Sequence, residues 1–181
     1  EYGLRKYYNY YKNTLIERII KGPPESFRWI SWMILGKLEE NRNENSFIEY
    51  LVMDIDEKTN VQIKKDLKRT LADHHILSED ENSQNCLYNV LKAYASFDEE
   101  VSYCQGMNFI AGFLLLISDF NEVDTFYMMS SLFMFTYGEN LGLRGFYIND
   151  FPLLNLYLYQ FEDLFEKRLP QLKKHFKNLE I

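Results

Sequence analysis

The chain has 181 residues, enough to bury a substantial core and favouring a single domain over residues 1–181. Aromatic residues make up 17% of it against only 8 glycines and 4 prolines, which excludes a largely disordered chain. A net charge of −7 argues against a phosphate-backbone binder, so nucleic acid is not the expected partner, and Cys86 and Cys104 supply neither a disulfide framework nor a zinc set.

Two unpaired cysteines fit a reducing cytosol. The longest apolar run is far short of the ~20 residues that a bilayer span needs, and no signal peptide precedes the first helix. The start at Glu1 instead of Met reads as the edge of an excised segment. The expectation is a cytoplasmic protein with no membrane span.

Residues 2–21 form an amphipathic pattern, with Leu4, Tyr7, Tyr8, Tyr11, Leu15, Ile19 and Ile20 on one broad stripe and Lys and Arg filling the rest. Gly22-Pro23-Pro24 ends that helix, and a second runs over 25–35 with Phe27, Ile30, Trp32 and Ile34. Arg28 and Trp32 share its face, where an arginine stem lying across an indole is a packing device first. After a polar loop at 41–45, the spacing predicts a helix over 46–58, an interruption at Thr59-Asn60 and a further helix over 61–71. In that helix Ile63, Asp66, Arg69 and Thr70 lie on one stripe, with Lys64, Lys65 and Lys68 on the others. By position alone, Asp66 and Arg69 read as a solvated i, i+3 ion pair beside a helix C-terminus.

Asp73, His74 and His75 suggest a metal at first sight, but adjacent histidines point apart and His175 is remote, so no metal is expected. Residues 78–85 form an acidic connector without the glycine that a calcium loop needs. Helical periodicity returns over 85–97. The stretch Ser102-Tyr103-Cys104-Gln105-Gly106-Met107-Asn108 then runs into nine apolar or small residues, 109–117, that offer no wet face and read as a helix buried on all sides. Gln105 carries a donor and an acceptor on one short side chain and is placed on the first turn of that helix. The competing reading is that Ser, Asn and Gln gather there only to satisfy free amides. Helices over 122–137, 151–169 and 172–179 complete the chain, with a glycine-bearing loop at 138–149 and Pro170 separating the last two; Met128, Met129 and Met134 read as core filler. No strand pattern or long-period repeat stands out, so the fold class is all-α.

Three segments in order, Arg28-Trp29-Ile30-Ser31-Trp32, Ile63-Lys64-Lys65-Asp66-Leu67-Lys68-Arg69-Thr70 and Ser102-Tyr103-Cys104-Gln105-Gly106-Met107, closely resemble the TBC domain of GTPase-activating proteins for Rab GTPases. Leu91-Lys92-Ala93-Tyr94-Ala95, Asp124-Thr125-Phe126 and Leu169-Pro170-Gln171-Leu172 extend the likeness. The resemblance implies an irregular multi-helix domain in which Arg69 is an arginine finger and Gln105 a glutamine finger. Asp66 would aim Arg69, with Tyr103 and Thr70 as further orienting groups, while Arg28, Trp32, Ile63 and Gly106 are motif positions with structural roles.

The implied partner is a Rab-family small GTPase in its GTP-bound form, whose own glutamine need not contact the attacking water. GTP and magnesium belong to that partner, and no cofactor is expected in this chain. Recruitment to a membrane would then be peripheral, through the GTPase or flanking regions. Leu71-Ala72 departs from the Phe-Pro usual after the arginine, and the family's domain continues into a further helical part with no counterpart here, so exposed apolar surface is expected. The alternative left open is a helical scaffold that binds a GTPase without accelerating hydrolysis. An independent enzyme ranks below both, because no nucleophile–base pair or Gly-rich phosphate loop appears.

Overall fold

The computed structural model describes residues 2–70, 80–134 and 142–179. Leu71-Ala72 and the Asp73, His74, His75 group lie outside the described residues, as do parts of the loops at 78–85 and 138–149. The elements are α1 (Tyr2–Ile20), α2 (Glu25–Leu35), α3 (Leu38–Asn41), α4 (Glu44–Val52), α5 (Glu57–Leu67), α6 (Glu81–Phe97), α7 (Met107–Ile117), α8 (Glu122–Met134), a 3-10 turn over Leu143–Phe146, α9 (Pro152–Arg168) and α10 (Pro170–Asn178). No strand occurs among the described residues, and the chain is all-α.

Several boundaries differ from the sequence pattern because caps outweigh apolar periodicity. The break between α4 and α5 falls at residues 53–56, since Asp56 accepts the Thr59 amide at 3.0 Å and opens α5 there. Thr59-Asn60 is therefore the first turn of a helix. Asp80 accepts from the Ser83 amide at 2.8 Å and starts α6 four residues earlier than its apolar pattern does. Pro170 opens α10, where its missing N–H is one that a helix start leaves free anyway. The short α3 follows Lys37, a left-handed residue with no apolar signature.

Contacts gather into two compact units, residues up to Phe133 and residues from Met134. In the first, α6 is the central helix, packed against α4, α5 and α7. Leu87, Val90, Leu91 and Tyr94 of α6 are fully buried together with Ile63, Met107, Leu115, Phe126, Met129 and Phe133. Aromatic rings tie the layers: Phe47 meets Phe126 at 5.5 Å and Tyr94 meets Phe133 at 5.1 Å between centroids. Burial of such side chains, at roughly 1.5–3 kcal/mol each, is what holds the unit together.

Three expectations about apolar residues are corrected. Helix α7 is not buried on all sides: Phe109 is 44% and Phe113 48% exposed, one helical turn apart. An all-apolar run reports that a helix is mostly packed, not that every face is. Met128 and Met129 are core residues, but Met134 at the end of α8 is exposed. On α1, non-helical backbone at Tyr11 breaks the stripe, so Leu15 is buried while Tyr11 and Ile20 are exposed.

The second unit holds the 3-10 turn, α9 and α10. Phe146 stacks on Tyr157 at 5.6 Å, Phe165 meets Phe176 at 5.8 Å, and Lys173 of α10 pairs with Glu162 and Glu166 of α9. No residue of α9 is buried, and Leu156, Tyr157, Leu158, Tyr159 and Phe161 are exposed. No helix among the described residues is long and apolar enough to cross a membrane.

Candidate functional site

Helix α5 delivers Asp66 inward from its last turn. Ile63, one turn earlier on the same stripe, is fully buried, and this anchors the helix so that the Asp66 side chain is also fully buried. A buried carboxylate requires partners, and Asp66 has several. Its Oδ1 pairs with Arg69 Nη2, and its Oδ2 accepts from the Tyr103 hydroxyl at 2.7 Å. Gln62, one turn upstream, donates from Nε2 at 3.3 and 3.2 Å to the two oxygens. The pair read as solvated is thus half interior: Asp66 is buried, while the Arg69 side chain is 49% exposed.

Arg69 lies two residues beyond the end of α5, in a tight turn where its N–H donates to Asp66 O at 3.2 Å and the Thr70 N–H to Leu67 O at 3.1 Å. The guanidinium is held at its base and free at its rim. Burial, reinforced by the bond to Asp66, pushes the Tyr103 phenol well above its ordinary value, so it remains a donor to that carboxylate.

Tyr103 and Gln105 are aimed by the turn that joins α6 to α7. Asp98, the last residue of that helix's cap, accepts the Val101 amide at 3.3 Å, and Ser102 takes a left-handed φ of 54°. Tyr103 then points into the core and Gln105 outward, where it is exposed. Gln105 is not on the first turn of α7 as the pattern suggested; it precedes Gly106, which caps the helix at φ 106°. That backbone conformation is one that side-chain-bearing residues rarely adopt, so the turn requires glycine. Among the described residues the Gln105 side chain has no hydrogen-bond partner.

Two residues that the sequence did not single out join these turns. Asn108, fully buried on the first turn of α7, donates from Nδ2 to Thr70 Oγ1 at 2.8 Å and accepts the Gly106 amide on Oδ1 at 3.0 Å. The Thr70 hydroxyl donates to Asp66 O at 2.7 Å. Gln62 is the other. Its signal was legible, since Gln and Asp four apart on a helix meet, whereas Asn108 looked like one more capping residue.

Arg28 and Trp32 are half-buried on α2, where the Trp32 ring meets Phe113 at 6.1 Å and Trp29 at 6.5 Å. The cation–π contacts among the described residues join other pairs, such as Arg18 with Tyr7. Burial raises the Cys104 thiol, which makes it a poor nucleophile despite its place beside Gln105. Among the described residues no group of three or more His, Cys, Asp or Glu side chains is placed to hold a metal. A cavity of about 530 Å³ lies between α1 and α2, lined by residues such as Tyr7, Leu15 and Phe27, and neither Arg69 nor Gln105 borders it. The Arg69 side chain and Gln105 are both exposed.

The fold is an all-helical domain in which an exposed arginine and an exposed glutamine lie on two turns that Asn108 joins by hydrogen bonds. The chain belongs to the Rab-GTPase-TBC domain family, whose model matches residues 25–181. It is 34% identical over 99% of its length to the Rab GTPase-activating protein eat-17 of Caenorhabditis elegans, and 33% identical over 90% to the human Ecotropic viral integration site 5 protein homolog. It covers 19% of each of these relatives, so it spans about a fifth of their length. Among solved structures, the Chlamydomonas flagellar RabGAP TBC domain superposes with a TM-score of 0.69 at 24% identity, over 98% of this chain and 59% of that one. The Ypt/Rab-GAP domain of Gyp1p gives 0.65 at 22% identity, over 87% and 60%.

Proposed function

We propose that this chain activates GTP hydrolysis by a Rab-family small GTPase in its GTP-bound form, with Arg69 and Gln105 supplied in trans. The observation that carries the reading is the buried Asp66 carboxylate, which holds the base of an exposed Arg69 while a glutamine on the neighbouring turn stays exposed and unpartnered among the described residues. Family membership and the names of the relatives support it.

In GTP hydrolysis the protein does little covalent work, so rate comes from placing the water and offsetting charge on the phosphoryl oxygens. The planar Arg69 guanidinium contacts phosphate oxygens at more than one point. The Gln105 amide accepts a hydrogen bond from the attacking water and donates one toward the phosphate. GTP and magnesium are the partner's, and the chain contributes no cofactor and does no chemistry of its own without the GTPase. Its place in the cell follows from that partner, as a cytoplasmic protein drawn peripherally to the membrane where the GTPase resides.

The test is single-turnover phosphate release from a panel of GTP-loaded Rab GTPases. Acceleration lost in Arg69→Ala and in Gln105→Ala supports the reading. An absence of acceleration across a wide panel counts against it. Variants that keep both affinity and cellular effect point to a scaffold that binds without activating.

A further inference from the structure

We propose that Asn108 is a positioning residue that sets the Arg69 turn and the Gln105 turn in one frame. The inference rests on the reading of Arg69 and Gln105 as the groups that act on the partner's GTP. Asn108 touches neither of them. It bonds instead to the residue that follows each, Thr70 after Arg69 and Gly106 after Gln105.

The direction of every bond in this chain is fixed by proton supply. The Thr70 hydroxyl has one proton, and at 2.7 Å from Asp66 O that proton is committed. Thr70 Oγ1 can then only accept, so the group facing it must donate. The Gly106 amide can only donate, so the group facing it must accept. A carboxamide meets both demands with one side chain, and the two demands agree on which way it points. Aspartate in this place would lack the donor, and an apolar residue would lack both.

Burial makes the arrangement stiff. Asn108 and Thr70 are both fully buried, so no water competes for these bonds, and breaking one leaves a dry polar atom without its partner. A helix-capping role alone would need only the local bond to Gly106. The second bond reaches 38 positions back along the chain and continues through Asp66 to the guanidinium. Arg69 and Gln105 project outward from peptide units that this link holds, so slack in it displaces both tips from a partner's phosphate.

The test uses two variants that cut the link from opposite ends. Asn108→Asp keeps the acceptor for Gly106 and removes the donor to Thr70. Thr70→Val keeps the shape and removes the hydroxyl. With a GTPase that the wild-type protein accelerates, each variant should lower the maximal hydrolysis rate by ~10–100-fold, the cost of misplacement by about an ångström, and leave the half-saturating concentration nearly unchanged. The double variant should be about as slow as Thr70→Val alone, because that substitution already removes the bond that Asn108→Asp cuts. Maximal rates equal to wild type, with only a lowered melting temperature, would overturn the proposal, as would losses that multiply in the double variant.

A separate readout needs no GTPase. Amide exchange at Gly106 should quicken in Thr70→Val, although that substitution leaves the Asn108–Gly106 pair intact, and unchanged exchange overturns the proposal. If wild-type protein accelerates no GTPase, the activator reading fails, while the exchange measurement still decides the link.

Discussion

The Tyr103 hydroxyl donates to Asp66 Oδ2 at 2.7 Å across 37 positions of sequence, inside a core where the carboxylate has no access to water. This bond joins the two motifs that the sequence shows only as separate segments. A phenol, an amide and a guanidinium satisfy the oxygens of the buried Asp66 side chain.

Replacing Tyr103 by phenylalanine removes that donor and little volume. The buried Asp66 oxygen then keeps only the longer contact from Gln62. Urea unfolding should report a loss of about 1–3 kcal/mol, with hydrolysis stimulation also reduced because Arg69 loses part of its anchor's stiffness. A Tyr103→Phe protein as stable as wild type would show that the bond does not hold the interior carboxylate.

Arg69→Ala separates stability from activity. The Arg69 side chain is 49% exposed, but Asp66 is fully buried and retains Tyr103 and Gln62, so the loss of the ion pair should cost about 1–3 kcal/mol, well below the effect on turnover. Stimulated hydrolysis should fall by ~10³–10⁵, which is roughly 4–7 kcal/mol of barrier. Arg69→Lys keeps the charge but not the planar fork, and should recover stability far better than turnover. Parallel denaturation and single-turnover assays check the separation.

Gly106→Ala should be damaging out of proportion to one methyl group. At φ 106° an alanine is strained, at a cost of about 1–3 kcal/mol, or a melting temperature lower by a few degrees for a chain of this size. The adjacent Gln105 is displaced by any relaxation, so maximal stimulation should drop as well. Thermal unfolding followed by circular dichroism tests the first part, and unchanged melting refutes it.

Stability should decline on the alkaline side. Burial, with the hydrogen bond to Glu122 and its charge, pushes Cys86 from an ordinary 9.0 up to about 12. The folded chain therefore keeps a proton that the unfolded chain releases, so stability from this group is complete below about pH 9 and is lost as pH rises toward about 12. Tyr103 adds a loss of the same sign that begins near its ordinary value of 10.0. Denaturation profiles from pH 7 to 11 should be shallower in Cys86→Ala than in wild type, and identical slopes would contradict the assignment.

Much of this molecule is legible in its residues. Apolar periodicity gave the helices, because a 3.6-residue repeat of large side chains has few other ways to be buried. The ordered motifs carried the family, and the family model matches residues 25–181. Boundaries were less legible where a cap decided them: Asp56 and Asp80 open α5 and α6 through single side-chain bonds that periodicity does not register.

What only the tertiary structure decided is which polar residues meet. Asp66 and Arg69 look like a solvated pair until the burial of Ile63 and Asp66 places one partner in the core and leaves the other at the surface. Asn108 resembles a routine cap until Thr70 lies 2.8 Å away. The exposure of Phe109 and Phe113 on an unbroken apolar helix is equally invisible in one dimension. Local sequence sets the torsions and faces of each helix, but hydrogen-bond partners separated by 37 or 38 positions are chosen by packing, which the sequence encodes only through the whole core at once.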